Sequence, residues 1–355
     1  MMWGTTSGGP APACTGRLAA GLSAAAVALS LVAALPADAQ EYDFTMGVIT
    51  SPGDVYTALT RSIPERVSEA TDGRVAITVS DSLVAPAQIA SAVRDGRLPM
   101  SAALHTYLAA EEPRMGIFNL PGLIDDIEEY QQVRDAFWAE DVAEIWREKW
   151  NAVVLAEGAW CPTRLFSTEP IHTLEDFKGK RLRVHNPQTA ALMEALGAQP
   201  TPMTMTEIMP ALQRGVIDGL FTSVCVGTAF EFPRVAPHVQ DWLIGPITGW
   251  AILINAEVWE ELPDDIREQM QTAMADLEKE AFGSYNDYVE QALARIEKEF
   301  GVTPWIAPEE ERARLNEPQY REAAYESWYA RADELGIDGP AYIERVREVL
   351  GKTEQ

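Results

Sequence analysis

Histidine and cysteine are scarce here, with four and three residues respectively in a chain of 355. The histidines, His105, His172, His185 and His238, stand apart, without an H-E-x-x-H run or the Cys/His spacing of a metal site. There is no G-x-S-x-G elbow, no P-loop, no G-x-G-x-x-G fingerprint and no EF-hand loop. Paired carboxylates fall at solvent-face spacing on helices, so acid/base catalysis has no support. No metal, no cofactor and no catalytic residue are expected. Basic residues are also short, 28 Lys and Arg against 54 Asp and Glu, a net charge of -26. Such a surface repels nucleic acid and anionic lipid, which excludes a nucleic-acid function. An anionic ligand must then be drawn in by a local basic site, against the field of the whole protein.

Long apolar runs are missing after Gln40. The one such run, Leu18 to Leu35, follows Arg17 and precedes Ala37-Asp38-Ala39, an A-x-A cleavage site. Residues 1–39 therefore read as a signal peptide, with a mature chain from Gln40 in the periplasm. A membrane anchor is the alternative, since the run approaches the roughly 17 to 25 residues that span a bilayer. Its alanine content and the cleavage site favour removal. Cleavage removes one acid and one base, Asp38 and Arg17, so the excess of 26 negative charges stands. Cys14 precedes the apolar run, which argues against a lipoprotein cysteine. Cys161 and Cys225 remain, and their spacing leaves a disulfide and two buried free thiols both open.

About 315 residues then remain, more than one core usually organises, and two lobes are expected. Strand Tyr42 to Ile49, a helix from Val55 with Leu59, Ile63 and Val67 on one face, and strand Val75 to Val79 open the pattern. It continues with helix Pro86 to Asp95, strand Pro99 to Leu104 and a long helix Ile127 to Trp150. Ala152 to Ala156, Trp160 to Ser167, Lys180 to Val184 and Ile217 to Thr222 read as strands, with helices from Pro187 and Thr206 between the later ones. Crossovers of this length imply an α/β fold of mostly parallel sheets covered by helices. From Leu262 the texture turns to long helices, Asp264 to Phe300, Glu309 to Leu335 and Ala341 to Leu350. The expected organisation is 40–163 mainly lobe one, 164–255 mainly lobe two, and 256–355 a helical segment bracing both.

Two places combine charge with apolar strands. In Lys180-Arg181-Leu182-Arg183-Val184, alternation puts Leu182 and Val184 on one face and both arginines on the other. A planar guanidinium matches a carboxylate through two hydrogen bonds and keeps its charge when desolvated. Arg183 is therefore either a carboxylate clamp or part of a basic surface strand. Arg164, in Trp160-Cys161-Pro162-Thr163-Arg164-Leu165-Phe166, needs an anionic partner, either an internal acid or a ligand.

The run Arg164-x2-Ser167-x2-Pro170-Ile171-x2-Leu174-x-Asp176-x2-Gly179-x-Arg181-Leu182-Arg183-Val184 is followed by Gly197-x2-Pro200-x-Pro202-Met203 and Val216-Ile217-Asp218-Gly219. This pattern resembles the substrate-binding proteins of TRAP (tripartite ATP-independent periplasmic) transporters of the DctP type. Gly73-Arg74-Val75, Phe118-Asn119-Leu120-Pro121 and Asn255-x3-Trp259-x2-Leu262-Pro263 extend the likeness over nearly the whole mature chain. The resemblance implies two α/β lobes joined by hinge strands and closing over a small organic acid. It implies Arg183 as the carboxylate anchor and Arg164 as an assisting arginine. The loop Val48 to Thr50, Met205 and Thr222 fall at further contact positions, Thr222 where the family often has Asn. Positions that are polar in sugar-acid binders read as Val48, Leu104 and Met205, with His105 and Tyr107 nearby and Trp160, Phe221 and Trp250 as further candidates. A monocarboxylate with an apolar or aromatic body is therefore expected. The partner implied is a two-component membrane permease, and a monomer is expected, with a dimer as the alternative. Two other functions compete, a periplasmic enzyme using His105, Tyr107 or Cys225, and a receptor-linked acid sensor.

Overall fold

The computed structural model describes residues 40–49 and 51–352. The expected signal peptide, 1–39, lies outside them. The strands among the described residues are β1 Tyr42–Gly47, β2 Val75–Ser80, β3 Met100–Leu104, β4 Ala152–Trp160, β5 Thr163–Ser167, β6 Arg181–Val184, β7 Gln199–Pro202, β8 Gly219–Ser223, β9 His238–Asp241, β10 Thr248–Asn255 and β11 Trp305–Ile306. They form two sheets, in the orders β2-β1-β3-β10-β4 and β11-β9-β5-β8-β6-β7.

Strands joined by helical crossovers pair in parallel, as crossovers require: β1 with β2 and β3, and β6 with β7 and β8. The strands next to the lobe crossings run against them. β10 lies antiparallel between β3 and β4, and β5 antiparallel between β8 and β9. The chain leaves the first sheet at Cys161-Pro162, where proline has no N–H to extend the β4 ladder. It returns between β9 and β10, so β10, inside the interval 164–255, pairs in the first sheet.

Successive side chains along each strand go to opposite faces of its sheet. In β10, Trp250, Ile252 and Ile254 join a cluster with Met46, Leu59, Ile63 and Leu277, beneath the helices Val55–Ala70 and Asp264–Gly283. Ala251 and Leu253 join the opposite cluster, built on Trp138, Trp146 and Trp150. In the second sheet, Leu182, Val184 and Phe221 pack on one face, Phe166 and Leu220 on the other. Each fully buried large apolar side chain contributes on the order of 2 kcal/mol.

The helical tail is more broken than its composition suggests. The first long helix ends at Gly283 and restarts as Tyr285–Phe300, and the second is split into Glu309–Leu315 and Pro318–Glu334. Pro318 disfavours the α conformation at Glu317, so the split falls there. Pro318–Glu334 packs on the second-lobe helix Pro187–Ala195, and Gly339–Leu350 packs on Ile127–Val133 of the first lobe. No described helix is long and apolar enough to cross a membrane.

One ion network sits deep in the first lobe. Arg134 donates from Nε to Glu157 Oε2 at 3.1 Å and from Nη2 to Glu278 Oε1, while the Glu157 N–H donates to Glu278 Oε2 at 2.8 Å. It ties the long aromatic helix, β4 and the helix Asp264–Gly283 together, with Asp135 as a third carboxylate on Arg134 at 2.9 Å and burial raising the Glu157 pKa to about 8.

Candidate functional site

Arg183 stands near the end of β6, where Leu182 and Val184 turn into the core and the arginine turns to the opposite face. It is only 6% exposed. Nε donates to the Met203 carbonyl at 3.2 Å and Nη1 to the Phe221 carbonyl at 3.0 Å. Those bonds hold the guanidinium in place without neutralising it, and no described carboxylate is within ion-pair distance. Burial pulls its pKa below the ordinary arginine value, yet a guanidinium stays charged at neutral pH. The first-lobe phenol of Tyr107, 38% exposed, lies close enough for its charge to act on Arg183.

Register places two more residues on the same face. Arg183 is aligned with Leu220 of β8, and Thr222, two residues on, is aligned with Arg164 of β5. Thr222 is 4% exposed, and its hydroxyl has no hydrogen bond among the described residues. Arg164 is engaged differently. Its Nη2 pairs with Asp241 Oδ2 at 2.8 Å and its Nη1 donates to the Thr163 carbonyl at 3.0 Å. The internal salt bridge, one of the two sequence-level alternatives, is present here, and the partner strand β9 was not legible beforehand.

The apolar candidates gather in the cluster built on the first sheet. Trp160, at the end of β4, is 8% exposed and tilted against Tyr56 at 4.7 Å. Val48, just past β1, lines a cavity of about 290 Å3 with Arg61, Val79 and Asp81. Met205, at the start of the helix Met205–Gln213, packs against apolar clusters of both lobes. Arg183 lines neither this cavity nor a neighbouring one of about 320 Å3 along Gly53, Asp54, Arg61 and Tyr288. The buried unpaired charge, rather than cavity size, marks the site.

Two candidates move into the core. Trp250 is fully buried, edge-on to Tyr56 at 5.7 Å, its ring seated over Gly158, where a Cβ would collide. His105 follows Leu104, which is in register with Trp250, so one step of alternation sends it through to the other side of the sheet. There it is 1% exposed, 6.1 Å from Trp138 and 6.3 Å from Trp146, and burial pushes its pKa down to about 3. Gly249 leaves the room that its ring and the Tyr130 hydroxyl occupy. Trp250 shares its apolar cluster with Val48, Trp160 and Met205, whereas His105 lies on the opposite side of the sheet.

His185 was missed. It follows Arg183 by two residues, and burial plus the Arg183 charge hold it neutral, its pKa down to about 3. Period-two counting from Arg183 would have found it. Cys161 and Cys225 form a disulfide, with Cα atoms 6.0 Å apart. With Asp54 they are the one set of potential metal ligands gathered among the described residues, but joined sulfurs offer no thiolate. The enzyme reading thus loses Cys225 to the disulfide and His105 to the core.

Known proteins match this arrangement. Residues 46–328 match the family described as bacterial extracellular solute-binding protein, family 7, DctP. A solute-binding protein of Roseobacter denitrificans is 27% identical over 256 residues, 71% of this chain and 78% of the relative. The C4-dicarboxylate-binding periplasmic protein DctP of Rhodobacter capsulatus is 32% identical over 135 residues, 38% of this chain and 40% of its own. Among solved structures, DctP7 of Bordetella pertussis, an extracytoplasmic solute receptor binding pyroglutamic acid, superposes with TM-score 0.77 at 20% identity, covering 86% of this chain and 99% of the other. A TRAP periplasmic solute-binding protein of Desulfovibrio salexigens with bound orotic acid gives TM-score 0.77 at 21% identity, covering 87% and 99%. The two structures share the two-sheet fold. The chain belongs to the bacterial extracellular solute-binding protein family 7, the DctP-type substrate-binding proteins of TRAP transporters, which are receptors rather than enzymes.

Proposed function

We propose that this protein captures a small organic carboxylate in the periplasm and delivers it to a TRAP membrane permease, with Arg183 as the carboxylate anchor. One observation carries the reading: Arg183 is a buried cation whose hydrogen bonds all go to backbone carbonyls. A charge in that state costs several kcal/mol unless an anion joins it. A ligand carboxylate supplies that anion and satisfies the free edge of the guanidinium. Thr222 and Tyr107 complete its polar contacts, and Arg164 assists only if it shares its charge with Asp241. Trp160, Val48 and Met205 form an apolar surround, which suits a monocarboxylate with an apolar or aromatic body. Closure over such a ligand excludes water and strengthens the ionic contact.

The test is a thermal-shift screen of organic acids followed by calorimetry, because a tight ligand stabilises the folded form by mass action. Apolar monocarboxylates such as phenylacetate should outrank glucuronate and succinate. A screen in which only polyhydroxylated or dicarboxylic acids bind would overturn the apolar-body reading, and unchanged affinity in Arg183→Ala would overturn the anchor.

A further inference from the structure

The second unpaired buried charge lies on the other side of the cleft. Asp54, after β1, is 1% exposed and has no cation partner among the described residues. Its Oδ1 accepts from the Tyr56 N–H at 3.1 Å, capping the helix Val55–Ala70. Its Oδ2 accepts from Ser223 Oγ at 3.1 Å and from the Cys161 N–H at 3.4 Å. One carboxyl group therefore holds a first-lobe loop, the crossing between lobes and the end of β8. Cys161 follows Trp160, and Ser223 follows Thr222. Gly53, at φ +80°, seals the contact: a Cβ there would lie 2.8 Å from Ala229 Cβ and 3.1 Å from the Cys225 carbonyl, so the loop presses directly on the helix Val224–Ala229.

We propose that Asp54 is a positioning residue of the cleft: its carboxyl group sets the segments carrying Trp160 and Thr222 against the first lobe, and closure of the lobes takes up a proton there. The groups around it are the Tyr56 phenol, Tyr285 and Tyr288 from the helix Tyr285–Phe300, and the disulfide sulfurs. Arg61 lines the same cavity without forming an ion pair, and Arg164, which acts on Tyr285, is matched by Asp241. Nothing nearby balances a negative charge. When the lobes part, Ser223 withdraws and water reaches the carboxylate, which favours the ionised form. When they close, that water is stripped and the neutral form gains, in keeping with a pKa that burial raises to about 7. By linkage, lower pH then favours closure.

Spin labels at Glu69→Cys and Glu194→Cys, exposed positions on the two lobes, read the lobe separation in the ligand-free mature chain with its disulfide intact. The short-distance population should grow as pH falls through about 7 and should be insensitive to pH in Asp54→Asn. A wild type without that response, or an Asp54→Asn variant that keeps it, overturns the proton linkage. Ser223→Ala keeps the titrating group and removes the cross-lobe bond, so it should lower the short-distance population at every pH. An unchanged population overturns the positioning role. With pyroglutamate, orotate and phenylacetate as probes, Ser223→Ala should weaken whichever binds about fivefold, the size of one hydrogen bond between neutral groups. This last readout rests on the proposed carboxylate function, and a wild type that binds none of the three sinks that function while the label measurements still decide the role of Asp54.

Discussion

The first lobe and the second treat a buried arginine in opposite ways. Arg134 enters the first lobe with carboxylates waiting, Glu157 and Glu278 within and Asp135 toward the surface, and its charge is settled inside the protein. Arg183 enters the second lobe with only the Met203 and Phe221 carbonyls. The first arrangement is a brace, complete in the free protein. The second leaves a buried cation without a carboxylate among the described residues, on the sheet face it shares with Thr222 and Arg164. Arginine content and hydrophobic surroundings do not distinguish them, whereas the identity of the acceptors does.

The comparison is broken most directly by removing the brace. Arg134→Ala leaves Glu157 buried without its cation and should cost about 3 to 5 kcal/mol of stability, read as a lower urea midpoint, with carboxylate affinity in the surviving folded fraction unchanged. Arg183→Ala should do the reverse, costing about 2 to 5 kcal/mol of binding by calorimetry with little loss of melting temperature. If both variants lose stability alike, Arg183 is another brace. His105 sharpens the contrast from the apolar side of the sheet. Its pKa lies at about 3 against an ordinary 6.5, so the stability it contributes is present above about pH 6.5 and is lost as pH falls toward 3. His105→Phe should flatten the acid limb of stability against pH by up to roughly 1.4 kcal/mol per pH unit, without changing affinity at neutral pH. The smallest effect belongs to Arg181, two residues before Arg183 and paired with Asp218 at the exposed rim. Arg181→Ala should alter stability by less than about 1 kcal/mol and leave binding untouched, and a loss of affinity would show that the anchor assignment is off by one side chain.

Local chemistry was readable in advance. Thr173-Leu174-Glu175-Asp176 has the spacing of a capping box, which Thr173 and Asp176 form, Pro187 opens its helix, and Gly179 and Gly197 close theirs at positive φ. The outward turn of Arg183 followed from strand period alone. Pairings between distant segments did not. β10 is apolar on both faces, so it shows no alternation, and nothing local says that it returns to the first sheet between β3 and β4. That placement decides which side of the sheet Trp250 and His105 occupy. Arg164 illustrates the limit from the other direction, because its need for an anion was visible while Asp241 lay seventy-odd residues away on an unrecognised strand. Asp54 was hidden by looking ordinary, an N-capping aspartate like many others until Ser223 and Cys161 arrive from elsewhere in the chain.

The tail has a consequence for how the molecule is made. Trp328, Ile343 and Val346 belong to the same apolar cluster as Trp138 and Trp146, and β11 supplies the outer edge of the other sheet. A chain emerging in order from its amino end therefore cannot finish either lobe before its final helices are available. Neither half has a sequence interval that contains its whole interior, so cutting the gene at the hinge yields two incomplete fragments rather than two modules. Folding must wait for the full polypeptide, with slow, long-range assembly in place of the stepwise, domain-by-domain route open to proteins whose lobes are contiguous.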